Sequence, residues 1–249
     1  MGIVASQSFK NIISTYLGFF IGAINTLFLY TEFLSDDYYG MVGYMLSLAY
    51  VIMPIMAFGM HNTLVKFYST FKTRISLNSF LTLMLVLPLC VIIPLILIIY
   101  VSYDSIVGFL SNKNEIIKAL AYFEVFFAWA KVQMQTVFGN FMKEVFHRVG
   151  AMILLFLLHF EAINLEQFMG GLVVVYVLRM LVMNVFAFSV KLPVIIFKRV
   201  PYLSNILKYS FLIIIAGSIA TILLDVDKVM IGQFVEIKEI AYYSVAIYI

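Results

Sequence analysis

The sequence predicts an all-α, polytopic transmembrane helix bundle, and three observations carry that prediction. Hydrophobic residues make up 64% of the 249 side chains and charged ones only 12%, against about 25% charge in a soluble domain. The apolar residues gather in runs long enough to cross a bilayer, which takes about 20 residues of helix. The few charges fall mostly between those runs and sort by sign. A soluble globular domain and a disordered tail are excluded, because the chain owns too little polar surface to cover its apolar residues in water. A nucleic-acid partner is excluded as well, since the net charge of +3 is small and dispersed. Cys90 is the single cysteine and cannot form an internal disulfide.

The charges mark where each span stops. The first span covers about 11–30; it follows Lys10 and has no small-residue cleavage site, so it reads as a retained span rather than a signal peptide. The second covers about 41–60 and the third about 80–101. A weaker fourth span, about 116–137, carries Lys118, Glu124 and Lys131. The fifth is short, about 149–160, and open to extension by neighbouring residues; the sixth covers about 168–190 and the seventh about 206–224. An eighth begins near Ile240 and is cut off at Ile249. Pro54, Pro88 and Pro94 are expected to kink the second and third spans.

Lys and Arg in short loops set the orientation, and they favour the cytoplasmic side. A cytoplasmic N-terminus places Lys10, Lys66, Lys72, Arg74, Lys143, Arg148, Lys191, Lys198, Arg199 and Lys208 inside, ten of the 16 basic residues. Only Lys113, Lys118, Lys228 and Lys238 fall outside. Glu32, Asp36, Asp37, Asp104, Glu115, Glu161, Glu166, Glu236 and Glu239 gather on that outer side. The expected topology is therefore about seven complete spans and a truncated eighth, with the N-terminus in the cytoplasm.

Around the seventh span the chain begins again. Ser8-Phe9-Lys10, an apolar helix, Glu32-Phe33-Leu34 and Tyr38-Tyr39-Gly40-Met41-Val42 are followed later by a similar series. That series is Leu207-Lys208-Tyr209, an apolar helix, Gln233-Phe234-Val235 and Tyr242-Tyr243-Ser244-Val245. Both helices carry small residues four apart, Gly18 with Gly22 and Ala216 with Ala220, a spacing that lets membrane helices approach closely. Six spans separate the two starts, so the copies share one orientation, as in transporters built from parallel repeats. The expected domains are a six-helix bundle over 1–200 and the start of a second over 201–249. The chain then reads as part of a protein nearly twice as long.

Several stretches resemble bacterial oligosaccharide and polysaccharide flippases, within the multidrug/oligosaccharidyl-lipid/polysaccharide exporter superfamily. They are Tyr39-Gly40-Met41, Phe58-Gly59-Met60 leading to Leu64-Val65-Lys66-Phe67-Tyr68, and above all Leu224-Asp225-Val226-Asp227-Lys228-Val229-Met230-Ile231-Gly232-Gln233-Phe234 with Tyr242-Tyr243-Ser244-Val245-Ala246. The resemblance covers the first half of such a protein. It implies two six-helix bundles around a central cavity in the bacterial cytoplasmic membrane. The implied activity moves a lipid-linked glycan from the inner to the outer leaflet by alternating access; the lack of a Gly-rich phosphate loop with Lys-Ser or Lys-Thr leaves no ATP site, and Na⁺ or H⁺ would be the coupling ion. Two departures stand against it: the second bundle is missing, and the fourth span is short because Lys118 directly precedes Ala119-Leu120-Ala121-Tyr122.

Charges inside spans are candidates for function. Arg179 lies near the middle of the sixth span, and its guanidinium fits phosphate oxygens in bidentate fashion. A structural pair with Glu124 is the other reading. Glu124, Lys131 and Gln135 recur at i, i+7 and i+11, one face of a helix, and line either a wet cavity or an interhelical contact. Trp129 beside them reads as packing or an interface anchor. Asp225, Asp227 and Lys228 end the seventh span, as a coupling-ion site or gate, or as an i, i+3 ion pair. Asn25 occupies the comparable depth in the first span and is neutral. The inner basic residues read as topology signals and anionic-lipid contacts. His61, His147 and His159 lack metal-ligand spacing, and no phosphate-binding glycine loop occurs, so neither metal nor cofactor is expected.

Function divides accordingly. A flippase for lipid-linked oligosaccharide uses Arg179 and Lys131 to hold the anionic linkage. A cation-coupled multidrug antiporter needs an acidic cavity group, for which Glu124 is available in the first bundle. A membrane enzyme needs a larger loop than any here, and an inactive membrane fragment is the remaining reading.

Overall fold

Lipid cannot hydrogen-bond a peptide group, so an apolar chain satisfies its backbone within helices. The computed structural model describes residues 2–101 and 113–248, and its regular elements there are all helical. The expected outer segment with Asp104, and Ile249, lie outside the described residues. Helix α1 runs Ile3–Ile24 and continues through a π-helical turn, Asn25–Leu29, into Tyr30–Phe33. Next come α2 (Asp36–Met56), α3 (Met60–Phe67), α4 (Arg74–Val101) and α5 (Lys113–Lys131). Helix α6 joins Val137–Phe141, a second π-helical turn Met142–Phe146, and His147–His159. Helices α7 (Leu165–Val190), α8 (Leu203–Phe234) and α9 (Glu239–Tyr248) complete the order.

Among the described residues, four helices are long and apolar enough to cross a membrane: Ala5–Phe33, Asp36–Met56, Arg74–Pro94 and Leu165–Val190. Large apolar side chains stay exposed along them, such as Phe20 at 66% and Val185 at 69%. A water-soluble surface does not carry such a band. The chain is an all-helical protein of membrane-embedded type.

Two boundaries differ from expectation. The fourth apolar run ends at Lys131 rather than at 137, and Val137 opens the next helix. The stop is a Schellman turn without glycine: Gln135 N–H reaches Ala130 O at 3.0 Å, Met134 N–H reaches Lys131 O at 2.9 Å, and Met134 takes φ 58°. Gln135 therefore leaves the helical face that carries Glu124 and Lys131. The fifth run, expected as 149–160, is the last part of a continuous helix from Val137 to His159. Lys143, Glu144, His147 and Arg148 lie inside it and interrupt the hydropathy without interrupting the backbone. Its end repeats the device, with Ala162 N–H on Leu157 O at 2.9 Å and Glu161 at φ 56°.

The chain forms two compact units, to which α2, α7 and α8 each contribute to both. The first comprises Met1–Ala49, Thr136–Arg179 and Leu223–Ile249. Here α1 lies along α6. Asn11 Nδ2 donates to Thr136 Oγ1 at 3.0 Å, Thr136 donates to Gln7 Oε1 at 3.0 Å, and Asn140 Nδ2 donates to Asn11 O at 3.0 Å. Further along, the helices touch through glycine. A Cβ on Gly18 would lie 2.5 Å from Glu144 O, and one on Gly22 would meet Tyr248 Oη at 2.6 Å and Arg148 Nε at 3.2 Å. The expected close approach at Gly18 and Gly22 is thus made. Ala216 is exposed instead, and the side chain of Ala220 is outside the described set. Helices α6 and α7 interlock reciprocally, Gly150 against Val175 and Leu154 against Gly171.

The second unit comprises Tyr50–Gln135 and Met180–Ile222. Helix α3 packs on α5, burying Met60 and Leu64 with Leu120 and Phe123. Thr63 and Ser210 share a buried hydroxyl hydrogen bond of 2.8 Å. Trp129 is fully buried, meets Phe188 edge-on at 5.9 Å and donates Nε1–H to Lys191 O at 3.0 Å, so it packs inside rather than anchoring at an interface.

Gly18→Ala drives its Cβ into the Glu144 backbone and should cost about 1–3 kcal/mol, as overpacking does. Gly170, also helical, has open space within 4 Å of the point where a Cβ would stand. Gly170→Ala should leave stability unchanged or raise it by up to ~1 kcal/mol. Unfolding midpoints of the two variants in one detergent check the contrast.

Candidate functional site

Buried charges in an apolar chain collect where they find partners. In the first unit such groups form a layer across α1, α6 and α7. Arg179 is 2% exposed, with its guanidinium carbon 5.4 Å from the Tyr176 ring centre. Its Nη1 donates to His147 Nδ1 at 3.3 Å. A guanidinium has no acceptor, so Nδ1 must offer its lone pair and the imidazole is the neutral Nε2–H tautomer. The His147 and Tyr176 rings lie 5.5 Å apart and close the aromatic wall.

Arg148 follows on the same helix and turns to the α1 side. Its Nη2 is 3.8 Å from Glu144 Oε2, and its carbonyl accepts from Asn25 Nδ2 at 2.8 Å. Asn25 is 3% exposed, and its Oδ1 has no partner among the described residues. Asn25 opens one π-helical turn, and Glu144 lies in the other. Such turns shift side chains out of α-helical register and concentrate at functional sites. Two guanidinium groups, a neutral imidazole and a carboxamide thus share one layer. Glu144 and Asn25 Oδ1 add acceptors, so the layer holds both donors and acceptors.

A second polar group lies at the far end of α8. Ser47 Oγ donates to Asp225 Oδ1 at 3.0 Å, and Tyr243 Oη donates to Asp227 Oδ2 at 2.6 Å. Tyr242 Oη donates to Asp36 Oδ2 at 2.6 Å. Lys228 lies within electrostatic reach of Asp225, three residues on. In the adjoining loop, the hydrogen bond from Lys238 holds the Glu236 carboxyl below its ordinary range and the Lys238 ammonium above its own.

In the second unit Glu124 is buried, whereas Lys131 is exposed with Nζ 4.1 Å from the Phe127 ring centre. Gln135 sits in the turn after α5 and is exposed. The expected three-residue stripe therefore reduces to Glu124 and Lys131. Sequence reading misses the partners. Nothing in the spacing of His147 marks it as the acceptor for Arg179, 32 residues away, nor Ser47 as the donor to Asp225. Among the described residues no group of three or more His, Cys, Asp or Glu is placed to hold a metal. One cavity of about 360 Å³ is lined by Tyr38, Asn164, Leu165, Glu166 and Met169 in the first unit. Another, of about 480 Å³, is lined by residues 199–204 in the second.

The fold and its four long apolar helices define the class, an all-helical membrane-embedded protein. No family model, curated protein or solved structure matches the chain.

His147→Ala removes the acceptor from a buried charged donor, which should cost about 1–3 kcal/mol. His147→Gln restores an acceptor and should recover part of that loss. Thermal unfolding in detergent reads both, and equal midpoints for the two variants would show that the hydrogen bond is not what holds Arg179.

Proposed function

We propose that the chain is a membrane transporter of the secondary flippase type, moving lipid-linked oligosaccharide for envelope polysaccharide synthesis across the bacterial cytoplasmic membrane by alternating access. One observation carries the reading: two segments share a helix–break–helix plan with a common tether. Helix α1 and its extension end at Phe33 and α2 starts at Asp36; α8 ends at Phe234 and α9 starts at Glu239. In each, the second tyrosine of a Tyr-Tyr pair reaches back to the preceding helix. Tyr39 Oη donates to Thr26 O at 3.1 Å, and Tyr243 Oη to Asp227 Oδ2. A repeated unit in one orientation is how many transporters are built, with the substrate path between the repeats. The resemblance of the same residues to polysaccharide flippases points the same way. Arg179 and Arg148 supply the donors that a pyrophosphate-linked glycan requires.

The transport reading includes a cytoplasmic N-terminus and seven or more spans. Ser35 and Thr73 are both exposed and fall on opposite sides of that topology. With Cys90 replaced by Ser, Ser35→Cys should react with a membrane-impermeant maleimide in intact cells. Thr73→Cys should react only after permeabilisation. The reverse pattern inverts the topology.

Transport itself is read in proteoliposomes loaded with a fluorescent polyprenyl-pyrophosphate oligosaccharide and an external quencher. The chain should bring about tenfold more label across than protein-free vesicles. Arg179→Ala should remove most of that gain and Arg179→Lys part of it, since a lysine keeps the charge but not the fork. No movement with the wild-type chain overturns the flippase reading, and cation-driven dye efflux in its place would favour the multidrug antiporter.

A further inference from the structure

Between α7 and α8 the second unit carries a non-helical stretch, 191–202, most of whose apolar side chains point away from the protein, while Val200 is buried. Leu192 is 74% exposed, Ile195 67%, Phe197 81% and Tyr202 65%. The backbone beneath them is fixed. Ile196 N–H donates to Thr82 Oγ1 at 3.0 Å, and Lys191 O accepts from Trp129 Nε1–H at 3.0 Å. These side chains are therefore held outward by hydrogen bonds on the opposite edge of the stretch.

The surroundings are uniformly basic. Lys191 Nζ lies 3.0 Å from Tyr68 Oη, and Lys66 Nζ lies 3.7 Å from the Tyr209 ring centre. Those contacts draw segment 60–82 onto segment 191–209. Together the two segments hold Lys66, Lys72, Arg74, Lys191, Lys198, Arg199 and Lys208, and no acidic residue. Lys198 and Arg199 follow Phe197 directly and are exposed. The cavity of about 480 Å³ opens next to them, bordered by Arg199, Tyr202 and Ser204. The apolar band also continues from the stretch onto its flanking helices, with Val185 69%, Phe211 59% and Leu212 62% exposed.

We propose that 191–204 is an interfacial strap that seats on an anionic phospholipid leaflet and binds headgroup phosphate. Leu192, Ile195 and Phe197 enter the acyl boundary, Lys198 and Arg199 meet the phosphates, and the adjoining cavity takes a headgroup. Continuity with the lipid-facing helices selects a lipid over a soluble partner, because one apolar solvent covers both. Charge complementarity selects an anionic lipid, because seven cations with no acid repel one another until phosphates neutralise them.

The probe is phosphatidylglycerol against phosphatidylcholine, presented in mixed vesicles and followed after extraction by native mass spectrometry of the full chain. Wild-type protein should retain phosphatidylglycerol selectively. Lys198→Ala with Arg199→Ala should weaken retention roughly thirtyfold, the usual contribution of two basic residues near an anionic surface. The unfolding midpoint in lipid-free detergent should not change. Phe197→Trp should gain fluorescence that brominated lipid quenches and aqueous iodide does not. Unchanged phosphatidylglycerol retention in the double variant overturns the proposal. So does iodide quenching at position 197, or equal displacement of the lipid by inorganic phosphate.

Discussion

Much of this structure depends on the seam between α1 and α6. In lipid, helices gain little by hiding apolar surface from one another, so they associate through close packing and interhelical hydrogen bonds. The seam uses both along one helical face. Gln7 and Asn11 pair with Thr136 and Asn140, Gly18 and Gly22 admit Glu144 and Arg148, and Asn25 closes the row on the Arg148 carbonyl. The partners on α6 recur every four residues, from Thr136 to Arg148, which is the ridge a helix offers to a close neighbour. Fixing that face of α6 fixes its rotation. His147, one position before Arg148, is thereby turned towards α7, where its Nδ1 meets Arg179 Nη1. The reciprocal fit of Gly150 with Val175 and of Leu154 with Gly171 then sets the height of α7. The buried cation is held by the seam as much as by its own partner.

That dependence explains what the sequence discloses and what it hides. Hydropathy marks α1, α2, α4 and α7 because their apolar runs coincide with whole helices. It misplaces the α5–α6 boundary because the usual stop signal is absent: Met134 and Glu161 take the left-handed position that glycine generally fills. It also shortens α6, because Glu144 and Arg148 look like the edge of a span. Their apolar cost is offset by the ion pair between them and by the packing with α1. Gly18 and Gly22 are legible because a small-residue spacing has one obvious use. The acceptor for Arg179 is not legible, because pairing across helices depends on rotation and depth, which a linear sequence does not encode. Gln135 aligns with Glu124 and Lys131 only if one unbroken helix runs through Met134, and the left-handed turn there breaks it.

The two polar layers of the first unit differ in chemical character. Around Arg179 and Arg148 two guanidiniums and the Asn25 amide donate, set among the acceptors His147 Nδ1, the Glu144 carboxylate and the Arg148 carbonyl. At Asp225, Asp227 and Asp36 the carboxylates accept, each taking a hydroxyl from Ser47, Tyr243 or Tyr242. A chain with 12% charge has few such groups, and in both layers a cation lies beside a carboxylate, Arg148 with Glu144 and Lys228 with Asp225.

The two tyrosine tethers differ in their acceptors. At the α1–α2 break the acceptor for Tyr39 is the backbone carbonyl of Thr26. At the α8–α9 break the acceptor for Tyr243 is a side-chain carboxyl, that of Asp227. Asn25 in the π-helical turn of α1 and Asp225 on α8 differ in the same sense, an amide and an acid. In the transport reading both helix breaks offer carboxyls that a driving cation would meet, Asp36 at the start of α2 and Asp227 on α8.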